Sequence, residues 1–184
     1  MPLILQNIIL FQLGWFACVL TGAGMLPPFT GIAAVTLIVV IHLLRADDST
    51  SELFLVILAL LIGTLWESVL LLTGVFNYST GQPIDSLAPV WLIALWPLFA
   101  TLLNVSMKWL KGKYWLAAIC GFTGGPLAFY SGHKIGAVEF SNTTIALLVI
   151  AAGWALLMPL LIALASRFNG YFGPRAGLQE AGIL

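Results

Sequence analysis

The residue best placed to do chemistry is a glutamate inside a long apolar stretch. Glu67 lies in the run Leu53–Phe76, whose other residues are almost all apolar or small. At the helical rise per residue, Glu67 falls about 21 Å along a hydrocarbon core of about 30 Å. A carboxylate at that depth is costly unless it is neutral or paired, so we expect it to face the interior of a helix bundle. It is either a proton or cation site, or a hydrogen-bonded glutamate that joins two helices.

Polar residues at the end of another apolar stretch are candidate partners of this carboxyl group. Tyr130, His133 and Lys134 follow one another closely at the end of the fifth apolar run of the chain. The third and fifth runs point in the same direction if every run crosses the membrane. These residues, with Glu67 and its neighbour Ser68, then form one candidate intramembrane polar site facing outwards, because a lysine stem can reach from the interface into the bundle. The alternative, which is simpler, is that His133 and Lys134 are solvated loop residues.

A second tier of polar residues is expected in the half of the membrane nearer the cytoplasm. Gln6 and Gln12 lie on the first apolar run, and Asn104 lies on the fourth. Hydrogen bonds between the amides of neighbouring helices explain all three residues without any further function.

The elements that position these residues are predicted to be membrane helices. Of the 184 residues, 61% are apolar and 8% are charged, whereas a soluble domain has about 45–50% and about 25%. Seven basic residues are balanced by seven acidic ones, which also excludes a nucleic-acid-binding protein. We therefore expect an all-α, polytopic bundle of six transmembrane helices in residues 1–166, followed by a short cytoplasmic tail in residues 167–184.

Six stretches are long enough, or nearly long enough, to cross a bilayer. They are Leu3–Thr21, Thr30–Leu44, Leu53–Phe76, Pro89–Trp109, Tyr114–Ser131 and Thr143–Ala165. The second stretch is short, so it is either a tilted full span, which we favour, or a re-entrant segment.

The basic residues predict the orientation of this bundle. Six of the seven fall on one side of the six-span topology, and only Lys134 falls on the other. The six are Arg45, Lys108, Lys111, Lys113, Arg167 and Arg175. Cytoplasmic loops carry the excess of lysine and arginine, so both termini are expected to be cytoplasmic.

Glycines and prolines mark candidate helix breaks and close helix contacts. The candidate breaks are Pro97, Gly124, Gly125, Pro126 and Pro159. A break near Pro126 would line a cavity, as in transporters, whereas a kink would serve shape alone. Small residues also recur every three or four positions along the fifth stretch, which predicts that this helix is the packing centre of the bundle.

Motifs for several kinds of enzyme are absent from the sequence. There is no H-E-x-x-H, G-x-S-x-G or P-loop pattern, and the two histidines, His42 and His133, are predicted at opposite membrane surfaces. We therefore expect no metal and no cofactor. A cofactor-free membrane enzyme that uses Glu67 stays open.

Several segments together resemble a known family. They are Trp66-Glu67-Ser68, Leu72–Phe76, Ala88–Trp91, Asn104-Val105-Ser106 and Gly125–Ala128. The chain resembles a bacterial family of small integral membrane proteins with a domain of unknown function. Genes of that family often neighbour a gene for a cyclopropane-fatty-acid-synthase-like enzyme. The resemblance therefore implies a multi-pass inner-membrane protein with a link to lipid modification, and it implies no catalytic residues.

Three functions follow as hypotheses. The first is a non-enzymatic membrane component that assists lipid modification or handles a small apolar solute. The second is a compact secondary transporter with Glu67 as its proton- or cation-coupling carboxylate. The third is a membrane enzyme acting on lipid acyl chains. The expected partners are the lipid bilayer and either a second copy of the chain or a lipid-modifying protein, with no nucleic acid.

Overall fold

The fold is an all-helical bundle, seen in a computed structural model that describes residues 2–172. Within these residues the six α-helices are α1 (Leu3–Gly22), α2 (Thr30–Leu44), α3 (Ser49–Leu72), α4 (Val90–Leu103), α5 (Tyr114–Ile135) and α6 (Thr143–Arg167). A 3₁₀ turn, Lys108–Leu110, connects α4 to α5. Two short antiparallel strands, β1 (Phe76–Asn77) and β2 (Glu139–Phe140), join the α3–α4 and α5–α6 loops. The all-α prediction is confirmed apart from these strands.

Three of the described helices are long and apolar enough to cross a membrane. They are α1, α3 and α6, with 20, 24 and 25 residues. Helices α2 and α4 are apolar but have 15 and 14 residues. The predicted fourth stretch, which extended to Trp109, is too long, because the chain leaves the helix at Leu103 and turns. The side chains of Asn104 and Ser106 in this turn bind other parts of the bundle.

Helix α4 is the centre of the bundle. It packs against α1, α2, α3 and α6, and nine of its 14 residues are buried. The prediction that the fifth helix is the packing centre is wrong, because α5 packs mainly on α6. The glycines of α5 do not all pack against α6. A Cβ atom on Gly121 would meet the backbone of Trp154, whereas a Cβ atom on Gly124 would meet nothing within 4 Å.

The predicted helix breaks do not interrupt any helix. Pro97, Pro126 and Pro159 lie inside α4, α5 and α6, which continue through them. Gly124 and Gly125 are also helical. A proline removes one hydrogen bond of the helix ladder, and the remaining bonds of these helices keep each of them continuous. A break at these positions is therefore excluded.

The helix connections separate the bundle into two ends. We call one of them the basic end, because it carries Arg45, Lys108, Lys111, Lys113 and Arg167. At this end the Asp48 amide donates to the Gly170 carbonyl at 3.1 Å, and Arg45 donates to Gln6 Oε1 at 2.7 Å. The opposite end contains β1, β2 and Lys134. The predicted basic residue Arg175, with the rest of residues 173–184, lies outside the described residues.

Candidate functional site

A groove of about 880 Å³ runs between α1 and α5. Phe11, Trp15 and Phe16 of α1 form one wall, and residues of α5 such as Gly124 and Leu127 form the other. Helices α4 and α6 form the floor. Phe16 and Leu127 are exposed, so this α1–α5 groove opens sideways, towards the surroundings of the bundle.

The α1–α5 groove extends along most of the bundle. Met107 and Leu110 line it near the basic end, and Tyr130 and Lys134 line it near the opposite end. Nearly all of its other lining side chains are apolar or aromatic. A site of this size and composition fits a small apolar or amphiphilic molecule.

Glu67 lies on the wall of this groove. Its side chain is 1% exposed, and the indole Nε1 of Trp96 donates to its Oε1 at 3.2 Å. Its other oxygen, Oε2, is buried and has no hydrogen-bond partner among residues 2–172. A buried polar atom without a partner is costly, so this oxygen is a natural contact for a bound molecule.

Aromatic side chains surround the same part of the groove. Trp96 stacks on Trp154 with the ring centroids 5.2 Å apart, and Tyr78 meets Trp91 edge to face at 6.0 Å. All four rings line the groove with Glu67. We call Glu67 with these four rings the aromatic–carboxyl pocket.

Two further polar atoms of the aromatic–carboxyl pocket lack partners. The hydroxyl of Tyr78 and the Nε1 of Trp154 are buried, and neither makes a hydrogen bond within the described part of the chain. Burial raises the pKa of the Tyr78 phenol, and the nearby Glu67 carboxylate raises it further. The phenol therefore stays protonated and can donate a hydrogen bond.

Two of the predicted partners of Glu67 also border the groove. Tyr130 and Lys134 both line it, and the Lys134 Nζ lies 5.2 Å from the centroid of the Tyr130 ring. The structure thus places Glu67, Tyr130 and Lys134 around one space, with Lys134 exposed at its mouth.

The other two predicted site residues have contacts elsewhere. His133 Nδ1 pairs with the Val138 carbonyl at 3.0 Å, and its ring stacks on Phe140 at 4.7 Å. The Ser68 hydroxyl oxygen accepts from the Ala88 amide at 3.2 Å. These contacts hold loops in place, and neither residue is among those that line the groove.

The three residues of the second polar tier also differ in their surroundings, since one of them lines the groove and two do not. Gln6 accepts a hydrogen bond from Arg45, and Asn104 donates to Glu52 of α3 at 2.5 Å. Both amides therefore link different elements. Gln12 lies on α1 and lines the α1–α5 groove.

A second polar cluster, which the sequence reasoning missed, lies at the basic end. Glu52 is 0% exposed. Its Oε2 lies 2.8 Å from His42 Nε2, and its Oε1 accepts from Asn104 Nδ2 and, at 2.8 Å, from the Gly170 amide. The Tyr171 hydroxyl donates to the His42 carbonyl at 2.6 Å. We call these five residues the C-terminal clasp.

The C-terminal clasp changes the interpretation of the predicted tail. Residues 168–171 follow α6 and were expected to begin a separate cytoplasmic segment, yet they are held against α3 and α4. Burial, together with the nearby Glu52 carboxylate, raises the pKa of the Tyr171 phenol to about 12. Tyr171 is therefore a neutral hydrogen-bond donor within the clasp.

One sequence signal pointed towards Glu52. The spacing Ser49-x-x-Glu52 matches the capping-box pattern, which predicts Ser49 as the cap of a helix. In the structure Asp48, one residue earlier, caps α3 and accepts from the Thr50 and Ser51 amides. In a capping box the glutamate would return to the cap residue, whereas here it turns inwards to His42. The capping pattern locates the helix start, but it would assign Glu52 to the wrong partner.

The metal-binding side chains of the described residues are dispersed over the bundle. Within residues 2–172, no three His, Cys, Asp or Glu side chains come together as a metal site would require. His42 and His133 lie at opposite ends of the bundle, at the ends of α2 and α5.

A family comparison covers most of this architecture. Residues 4–160 match the family described as "Protein of unknown function (DUF2878)". The chain belongs to the DUF2878 family. The match includes both Glu67 and Glu52 and ends before residues 168–171 of the clasp. No curated protein and no solved structure matches this DUF2878 chain.

Proposed function

We propose that this DUF2878 protein is a six-span membrane protein that binds a small apolar or amphiphilic molecule in its α1–α5 groove. The observation that carries the proposal is the groove itself, which combines about 880 Å³ of largely apolar space with a sideways opening. Small-molecule sites are typically clefts of about 300–1,000 Å³. A sideways opening gives a molecule dissolved in a bilayer direct access.

The outer surface of the bundle supports the membrane location. Large apolar side chains project outwards from five of the helices, each exposed by 61–76%. They are Leu13, Leu37, Leu65, Leu127 and Leu156. Water penalises such a surface, while acyl chains do not. The two short helices, α2 and α4, lie beside α1 and α3 in this bundle, so we place them in the membrane as well.

The basic end supports an orientation with both termini in the cytoplasm. The structure gathers five basic residues there, and the positive-inside rule assigns such an end to the cytoplasmic side. The opposite end, with β1 and β2, then faces outwards. The bacterial inner membrane is the compartment that fits this arrangement and the resemblance noted in the sequence.

The orientation predicts the result of cysteine labelling in intact cells. In a chain with Cys120 replaced by serine, a cysteine at Asp85 should react with a membrane-impermeant maleimide. A cysteine at Lys113 should react only after the cells are opened. Both positions are exposed loop residues, so they make a matched pair, and the reverse pattern would show that the orientation is inverted.

The groove proposal predicts the effect of filling its wall. A side chain at Gly124 would point into open groove space, since a Cβ there meets nothing within 4 Å. Gly124→Leu should therefore weaken binding of a neutral long-chain alcohol by about tenfold, the equivalent of about 1.4 kcal/mol. The measurement is photocrosslinking of a diazirine-bearing fatty alcohol to the chain in micelles, with the labelled residues mapped by mass spectrometry.

Thr123→Leu is the matched control for this measurement. Thr123 is exposed, adjacent to Gly124 in the sequence and not among the residues that line the groove. It should leave the labelling of α1 and α5 unchanged. Equal labelling of both variants would mean that the probe reacts with the outer surface, and the groove would then not be a binding site.

Two kinds of role fit a groove of this type. A non-enzymatic component that presents an apolar solute or a lipid to a partner protein uses the apolar walls, and it is the function that we favour. A secondary transporter is the second candidate, and the unpartnered Glu67 Oε2 favours it, because coupling carboxylates lie inside membrane cavities. Loss of pH-dependent flux in Glu67→Gln, with the groove still able to bind, would select the transporter.

A further inference from the structure

We infer that the molecule bound in the α1–α5 groove carries a positively charged nitrogen, which the aromatic–carboxyl pocket holds through Glu67 and the surrounding rings. This inference rests on the proposed function and adds the chemical class of the ligand. It specifies a cationic group on an apolar body, with the cation near Glu67 and the body along the groove towards the basic end.

The first argument is the missing partner of Glu67. Oε1 receives the Trp96 N–H, while the buried Oε2 receives nothing. Within residues 2–172, the acid–base pair at salt-bridge distance is His42–Glu52, in the C-terminal clasp at the basic end. Glu67 therefore has no charged partner among the described residues. An ammonium group would give Glu67 both a counter-charge and an N–H donor, and such charge-assisted hydrogen bonds are the strong ones.

The second argument is the aromatic wall. The aromatic–carboxyl pocket places three of the groove's tryptophans and Tyr78 with Glu67, and tryptophan gives the most favourable cation–π contact of the aromatic side chains. Aromatic rings combined with a carboxylate attract a cation through both ring faces and charge. An anionic group at the same place would be repelled by an ionised Glu67 and would gain no cation–π contact.

The third argument is the shape of the remaining space. Beyond Trp96, the groove is lined by apolar side chains such as Phe11, Phe99, Leu102 and Met158. Lys134 lies at the opposite mouth, where it is exposed and contacts Tyr130. The ligand therefore has a body of alkyl or aryl groups. It is either a free lipophilic amine or a zwitterionic phospholipid, whose phosphate Lys134 would contact.

The test compares three small molecules that share one apolar body. They are 4-phenylbutylammonium, 4-phenylbutanol and 4-phenylbutanoate, titrated by calorimetry into the full chain in maltoside micelles. The ammonium should bind most tightly. Glu67→Gln should weaken ammonium binding by about tenfold or more, the loss expected for one charged hydrogen bond, and should change phenylbutanol binding little.

Two further variants make the result specific. Glu139→Gln removes an exposed carboxylate at the same end, outside the groove, and should leave all three affinities unchanged. If Glu67→Gln fails to fold, the same titrations on Trp154→Phe test the inference instead. It removes a tryptophan whose Nε1 has no partner, and it should weaken binding of the ammonium more than that of the alcohol.

The outcomes distinguish the two levels of the proposal. Equal affinity for ammonium and alcohol would overturn the inference of a cationic ligand, and so would a preference for ammonium that Glu67→Gln leaves intact. In either case, continued labelling of the groove by the fatty alcohol would leave the groove proposal standing. Loss of that labelling as well would overturn the groove proposal itself. Competition by added phosphatidylethanolamine would identify a lipid headgroup as the source of the cation, and the absence of competition would identify a free amine.

Discussion

Replacing Glu52 by alanine is expected to lower the free energy of unfolding by about 3–5 kcal/mol, because each buried polar group left without its acceptor costs about 1–3 kcal/mol. Glu52 is fully buried and has contacts with His42, Asn104 and the Gly170 amide. Alanine would leave all three polar groups without their shared acceptor, and such groups are costly in a dry interior. The measurement is unfolding by sodium dodecyl sulfate in mixed micelles, followed by tryptophan fluorescence.

The control for this change is an exposed carboxylate on the same chain. Glu139→Ala removes a glutamate at the opposite end, where the side chain is solvated, and should change the unfolding free energy by less than about 0.5 kcal/mol. The Glu52 variant should also release residues 168–171, so trypsin should cut faster after Arg167. An unchanged cutting rate together with a stability loss no larger than that of Glu139→Ala would show that the C-terminal clasp does not hold the chain end.

The inward position of Glu67 was within reach of sequence reasoning, because it depends on one helix. A carboxyl group in an apolar stretch must turn away from hydrocarbon, and Glu67 is indeed 1% exposed. Its hydrogen-bond partner was not within reach. Trp96 lies 29 positions further along the chain, on a helix whose rotation and height relative to α3 are set by packing across the whole bundle.

The C-terminal clasp shows a second limit of sequence reasoning. The sequence predicts His42 at a membrane surface, and it does not single out Glu52. Their pairing depends on the tight α2–α3 turn, and the contribution of Tyr171 depends on the chain returning after α6. Since no periodicity connects residues that are 129 positions apart, this cluster is visible only in three dimensions.

The small residues of α5 show a third limit, because their spacing does not say what each of them faces. Gly121 and Gly125 allow α6 to approach, whereas a Cβ atom on Gly124 would meet nothing within 4 Å. All three glycines line the groove. A stripe of glycines predicts close packing on one side of a helix. Here glycines three or four positions apart on one helix serve close packing at two positions and leave open space at a third.

The different surroundings of Gly121 and Gly124 predict opposite effects of the same substitution within one turn of helix. Gly121→Ala is expected to destabilise the protein by about 1–3 kcal/mol, the usual cost of an overpacked interior. A Cβ atom there would lie 2.1 Å from the backbone oxygen of Trp154 and 2.7 Å from the Met158 Cβ. Since the nearest atom belongs to the backbone, α5 and α6 must move apart to admit the methyl group.

Gly124→Ala is the matched comparison and should be neutral or stabilising, by up to about 1 kcal/mol, because alanine favours the helix and meets nothing within 4 Å. Both changes add one methyl group to the same helix, so differences in helix propensity and hydropathy cancel between them. The midpoint of unfolding in mixed micelles should therefore fall for Gly121→Ala and hold for Gly124→Ala. Equal midpoints would mean that α5 does not press on α6 at Gly121, and the groove wall would then not be fixed by that contact.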